Sequence, residues 1–233
     1  SMTMRPPTPG PPILRPWLAG VVAAIFVAVA PPASAQQKGT LHPRPLPALA
    51  NPNDPHLAAK QLFGRKTKPS AQKPDAIGFY AKGCLAGAEE LPASGPTWQA
   101  MRLSRNRNWG HPDMVNFLIG LSGAARQAGW RGLYIGDIGQ PRGGPMTSGH
   151  ASHQVGLDAD IWMLPPGRLN LTRAERESLS SISVRTEDQR AVTSAWTPRH
   201  AALLRAAASD PRVDRIFVAA AVKIAMCKAT PRN

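Results

Sequence analysis

Residues 149–160 read Gly-His-Ala-Ser-His-Gln-Val-Gly-Leu-Asp-Ala-Asp, so one glycine-bounded stretch carries two histidines and two aspartates. This limits what the local fold can be. His153 and Asp160 stand seven residues apart, and on an α-helix two turns would separate their Cα atoms by roughly 10 Å. Donor atoms on the two could not then meet about 2 Å from one cation. A turn at Gly156 followed by a strand removes the conflict, because strand side chains alternate with period two and Asp158 and Asp160 fall on one face. The donor set, imidazole plus carboxylate, suits a divalent metal, with tetrahedral Zn²⁺ as the first choice. One aspartate can bind the metal while the other orients a ligand or a substrate amine, and either His150 or His153 can donate a ring nitrogen. Ser152 and Gln154 are read as groups that hold the imidazole orientation. Lone histidines are usually surface hydrogen-bonders; four donors framed by Gly149 and Gly156 beside a strand weigh for metal. A catalytic zinc takes three protein ligands and a water, so a further ligand is expected from elsewhere in the chain.

Around this stretch the pattern mixes helices and strands without βαβ regularity or internal repeats, which gives an α+β class: a small antiparallel sheet with flanking helices and long loops. His111-Pro112-Asp113 opens a helical pattern through Met114, Val115, Leu118, Leu121 and Ala125 that Gly129 stops. His111 reads there as a cap. Leu133–Ile138 and Leu157–Met163 read as strands, Arg215–Val218 as a short strand, and Arg173–Leu179, Pro198–Ala208 and Ala220–Cys227 as helices. Residues 36–75 carry Pro43, Pro45, Pro47, Pro52, Pro55, Pro69 and Pro74. Proline fixes φ and removes ladder donors, so this part is expected as an extended arm wrapped on the domain. His42 and His56 lie in that arm and are set aside.

The first 35 residues carry a different message. Arg5 and Arg15 precede an apolar run from Trp17 to Ala30, and Ala33-Ser34-Ala35 offers the small residues of a signal-peptidase site, with cleavage before Gln36. The run is shorter than the roughly 20 residues that span a bilayer, so no stable membrane insertion is expected after cleavage. About 200 residues would remain, enough for one domain. The net charge of +14 invites a nucleic-acid reading, yet the arginines are scattered and no basic helix carries interleaved aromatics. Nucleic acid is excluded as a partner, and attraction to anionic envelope polymers takes its place. Cys84 and Cys227 could bridge in an oxidising compartment if their Cα atoms lie close enough.

The stretch Ser148–Ile161 closely resembles the signature of the penicillin-insensitive murein endopeptidases, a family grouped with lysostaphin, the D-alanyl-D-alanine metallopeptidases and hedgehog. Further matches run in order through Gly83-Cys84, Leu91-Pro92, Trp109–Asp113, Ile135-Gly136-Asp137, Trp196 and Arg215–Val218. The resemblance covers roughly residues 78–227 and implies a hedgehog/DD-peptidase-like domain over residues 76–233. It implies that His153 and Asp160 are zinc ligands. His150, beside the metal, and Asp158, in a supporting role, become the candidate catalytic residues.

The same resemblance implies a periplasmic zinc metallo-endopeptidase that hydrolyses D-alanyl-meso-diaminopimelyl amide cross-links, with peptidoglycan stem peptides as its partners. No serine nucleophile is needed, so β-lactams fail to inhibit such enzymes. Members continue past the segment matching Ile216–Cys227 into a strand bearing a His-x-His pair. Its last histidine is the third zinc ligand and its first the base. The sequence ends at Asn233, and His200, in a helical segment without a His-x-His partner, is a poor substitute. The expectation is a domain lacking its C-terminal strand and impaired by the missing ligand. Cys84 and Cys227 match family cysteines that pair with others downstream. The alternative is an inactive cell-wall-binding protein on the same fold.

Overall fold

The structure, a computed structural model, describes residues 1–6 and 38–230. The apolar run and the cleavage motif of the export reading lie outside the described residues. In chain order the elements are β1 (Met2–Met4), α1 (Ala59–Phe63), β2 (Asp75–Phe79), β3 (Lys82–Ala86), β4 (Glu89–Glu90), β5 (Trp98–Ala100), β6 (Trp109–Gly110), α2 (Pro112–Gln127), β7 (Leu133–Ile135), β8 (Asp158–Ala159), α3 (Arg173–Ser178), α4 (Pro198–Ala208), β9 (Val213–Ile216) and α5 (Ala220–Ala229). A 3₁₀ turn at Leu103–Arg105 lies between β5 and β6. The class is α+β, with short sheets, flanking helices and long loops.

Helix α2 is the central packing element. Nδ1 of His111 accepts the Asp113 N–H at 3.2 Å and caps the start, with Pro112 in the first turn. At the other end Gly129, at φ +100°, lets its own N–H reach the Arg126 carbonyl and that of Trp130 reach the Ala125 carbonyl. These two bonds make a Schellman stop that needs a left-handed residue. The face between buries Met114, Val115, Phe117, Leu118, Leu121 and Ala125 against α4, where Leu203, Leu204 and Ala207 are buried in turn. Burying each large aliphatic side chain stabilises the fold by about 1.5–3 kcal/mol.

The sheet that carries the metal-ligand stretch has the order β8-β1-β9, all antiparallel, with Met2 opposite both Ala159 and Ile216. Residues 2–4 are thus an inner strand, where the sequence reading saw only the lead-in to an export segment. A parallel pair, β5 with β7, departs from the all-antiparallel expectation. The strand expected over 133–138 ends at Ile135. Beyond it the backbone still pairs, from the Gly136 N–H to the Asp160 carbonyl at 2.8 Å, but Asp137 turns its carboxylate toward two arginines. The expected strand 157–163 shrinks to Asp158–Ala159 plus a single bridge between Ile135 and Ile161. The strand expected over 215–218 is shifted to Val213–Ile216, because β1 supplies its partners there.

The hairpin of β2 and β3 was not foreseen. The proline-rich segment is largely irregular, as expected, with the short α1 inside it. It is fastened to the body by bonds from Gly39 N–H to the Glu177 carbonyl, from the Asn106 amide to the Thr67 carbonyl, and from Arg142 to the Lys68 carbonyl. Cys84 and Cys227 are both free thiols, so no bridge joins them. No helix among the described residues is long and apolar enough to cross a membrane.

Candidate metal centre

Gly156, at φ +67°, makes the turn that the spacing of His153 and Asp160 demands. A Cβ there would stand 2.5 Å from a Leu85 methyl and 2.9 Å from the His111 main-chain nitrogen. The chain then enters β8, and Asp158 and Asp160 both face His153. Oδ2 of Asp158 accepts the His153 backbone N–H at 3.1 Å and lies 2.9 Å from Nδ1 of the same ring. Both side chains are fully buried. His153 itself takes a left-handed backbone, φ +64°, an uncommon conformation for a residue with a Cβ. The Asp158 carboxylate that accepts its N–H holds it there.

With Nδ1 turned to Asp158, Nε2 of His153 points to Asp160, whose Oδ2 lies 3.4 Å away. Nε2 of His150 lies 3.5 Å from that same oxygen. One donor atom from each of His150, His153 and Asp160 falls within 4.8 Å of the others. Of the sequence-predicted residues, the structure therefore brings His150, His153 and Asp160 together and puts Asp158 behind His153, away from solvent. His150 stands at the surface with about half its side chain exposed. Where the sequence implies two ligands and a neighbour, the fold brings the neighbour's nitrogen into the same cluster.

Electrostatics follow from this geometry. Burial disfavours a charged His153 ring, but Asp158 and Asp160 outweigh it and push its pKa up to about 10. Burial would raise Asp160, yet its contact with His153 and the positive charge around it hold its pKa down to about 2. Neither ring nitrogen of His153 closes a hydrogen bond of good geometry, nor does Oδ1 of Asp158; Nδ1 has the ion-pair contact with Asp158 at 2.9 Å and Nε2 the longer one with Asp160 at 3.4 Å. A buried nitrogen left so beside a carboxylate is what a cation between them would satisfy.

The other histidines fall outside the centre. His111 caps α2, as its sequence position predicts. His200 is fully buried between Trp130 and Trp196, with Nε2 donating to the Met163 carbonyl and Nδ1 accepting the Thr197 N–H. Both of its nitrogens are occupied, so it supplies no ligand. The expectation that Gln154 steadies an imidazole is corrected. Its amide instead joins the hairpin to the backbone beside His150, accepting from Gly83 N–H and donating to the Ala81 and Ala151 carbonyls. Asp158 does the orienting. Ser152 has no bond to either ring among the hydrogen bonds found. Two residues that sequence reasoning missed are Arg107 and Asp137, buried ion-pair partners of which Arg107 also binds Ser148, two residues before His150.

Residues 76–233 match the family model described as penicillin-insensitive murein endopeptidase. The chain belongs to this family. Curated relatives bearing that name include one from Haemophilus influenzae, 40% identical over 177 residues, which are 74% of this chain and 62% of the relative. One from Klebsiella pneumoniae subsp. pneumoniae is 40% identical over 162 residues, 69% of this chain and 59% of the relative. One from Yersinia enterocolitica is 41% identical over 162 residues, 69% and 58%. The chain thus spans about three fifths of the length of these murein endopeptidases. The segment matched by the family model contains His150, His153, Asp158, Asp160, Arg107 and Asp137.

Proposed function

We propose that this chain is a zinc-dependent endopeptidase of the periplasm that hydrolyses the D-alanyl-meso-diaminopimelyl amide cross-links of peptidoglycan. The observation that carries this reading is the convergence of one donor atom each from His150, His153 and Asp160 within 4.8 Å of one another, in a chain of the murein endopeptidase family. An imidazole and carboxylate set of this kind fits zinc. Zinc, when held, supplies Lewis acidity to a water and to an amide carbonyl.

The rest is the work of the chain's own residues. His153 through Nε2 and Asp160 through a carboxylate oxygen would hold the ion, and Asp158 would keep His153 in the tautomer that leaves Nε2 free. Asp158, named as catalytic from the sequence, is thereby given a positioning role, since its full burial keeps it from the substrate. His150, half exposed at the rim, can take a proton from an attacking water on Nε2 and return it to the leaving amine. The balance is one water: hydroxyl to the carbonyl carbon, hydrogen to the nitrogen. Of the loop 139–149 only Thr147, Ser148 and Gly149 are exposed, and an extended stem peptide would meet the chain there.

Export by the amino-terminal signal fits a wall substrate and the basic charge. Cleavage after Ala35 would also remove β1 from between β8 and β9, so amino-terminal sequencing of the protein from cells tells whether that strand stays.

The test uses purified cross-linked muropeptides resolved by chromatography and mass spectrometry. With two protein ligands for the metal among the described residues, His153 and Asp160, a low yield of new monomers carrying free D-alanine carboxyl and diaminopimelate amine groups is expected, abolished by a chelator and by His153→Ala. Binding to intact sacculi with no bound zinc and no cleavage would instead support the wall-binding alternative.

A further inference from the structure

Arg107 and Asp137 are almost wholly buried, 8% and 4% exposed. Nη1 of Arg107 lies 3.0 Å from Oδ2 of Asp137, and its Nη2 donates to the Ser148 carbonyl at 2.7 Å and to Ser148 Oγ at 3.2 Å. Ser148 is two residues before His150. The Arg107 carbonyl also accepts the N–H groups of Ile138 and Gly139, at 2.7 and 3.1 Å. On the other side the Asp137 carbonyl accepts the Asp160 N–H at 2.9 Å. Arg105 approaches the same carboxylate at 3.3 Å. The side chains of the pair therefore reach the metal-ligand stretch on one flank, at Ser148 through Arg107, while on the other flank it is the Asp137 main chain, not its carboxylate, that binds Asp160. A buried ion pair is weak as a source of net stability, because desolvation offsets much of the attraction, but it fixes geometry well.

We propose that Arg107 and Asp137 are positioning residues that set His150 relative to His153 and Asp160. The inference rests on the metal reading above, and the pair touches neither metal nor substrate. Lysine cannot replace the arginine, because a point charge does not reach Asp137 and two Ser148 oxygens at once.

The test compares Arg107→Gln, Arg107→Lys and Asp137→Asn with the unchanged chain. Arg176→Gln serves as control, since the Arg176 guanidinium is similarly buried but binds the Ala93 and Ala100 carbonyls and Ser94. Zinc affinity is measured by competition with a chromophoric chelator, the visible spectrum is recorded with Co²⁺, and amide exchange is followed over residues 146–151 without metal. Because Nε2 of His150 lies 3.5 Å from the Asp160 oxygen that would hold the ion, Arg107→Gln is expected to lower zinc affinity about 10- to 100-fold, as loss of an outer partner of a ligand does, to change the Co²⁺ spectrum, and to speed exchange at 148–151 about tenfold. Arg107→Lys should keep the fold, recover stability and still lose affinity, and it decides the matter if the glutamine variant does not fold. Arg176→Gln should lower Tm and leave metal affinity and loop exchange unchanged. Unchanged exchange and affinity in the Arg107 variants would overturn the proposal, as would an equal loss of metal in Arg176→Gln. Failure of the unchanged chain to bind zinc would sink the metal reading, while the metal-free exchange rates would still judge the clamp on His150.

Discussion

Nδ1 of His153 lies 2.9 Å from Oδ2 of Asp158, and the same oxygen accepts the His153 backbone N–H. One carboxylate thus fixes both the ring and the left-handed backbone that presents it. Asp158→Asn keeps the shape but removes the charge that favours a proton on Nδ1. A loss in zinc affinity of about 10- to 100-fold is expected, read by chelator competition at constant pH. Wild-type affinity in this variant would show that Asp158 does not orient the ligand.

Metal binding should be strongly pH-dependent. His153 holds its proton until about pH 10 in the metal-free fold, so a cation must displace it. Apparent zinc affinity should then climb about tenfold per pH unit between 6.5 and 8.5. The metal-free fold has the opposite tendency, because a pKa raised above 6.5 contributes stability that is complete below that value and lost as pH rises through about 10. Thermal melts with and without zinc should therefore separate more at pH 8.5 than at 6.5.

Gly156 makes the turn on which the centre depends. Gly156→Ala forces a Cβ into the left-handed region and against Leu85 and the His111 nitrogen. Destabilisation of at least about 1–2 kcal/mol is expected, measured by urea unfolding, together with weakened zinc binding. Unfolding midpoints equal to those of the unchanged chain would mean that the turn is more compliant than its contacts allow.

His200 gives an acid-side signature away from the centre. Burial lowers its pKa below 6.5, so the folded protein holds it neutral where the unfolded chain protonates it. The sign follows: its contribution is complete above 6.5 and is lost as pH falls from there toward the depressed folded value. Protonation would also remove Nδ1 as the acceptor for Thr197. Subtracting the stability profile of His200→Gln from that of the unchanged chain should leave a slope confined to this acid window.

The centre was legible in the sequence because its donors sit in twelve consecutive residues whose spacing rules out a helix. Helix α2 was legible for a similar reason: its apolar period, its His111-Pro112 start and its Gly129 stop agree. Strand β1 was not, since Met2–Met4 earns its place by pairing with residues 159 and 216, which no local pattern encodes. The β2–β3 hairpin was hidden by Gly78 and by Ile77 and Phe79, both exposed, so no half-buried alternation appears. Arg107 was one arginine among many scattered along the chain. Only the fold shows that its partners are Asp137 and Ser148.

Gln154 ties the centre to the β2–β3 hairpin. Its side chain bonds Gly83, Ala81 and Ala151, and its main chain bonds Tyr80 and Gly144. These bonds hold the stretch between His153 and Asp160 through protein groups alone, unlike a zinc finger that folds around its metal. Little conformational entropy remains to be lost on binding, so calorimetry should find a small heat-capacity change rather than that of coupled folding.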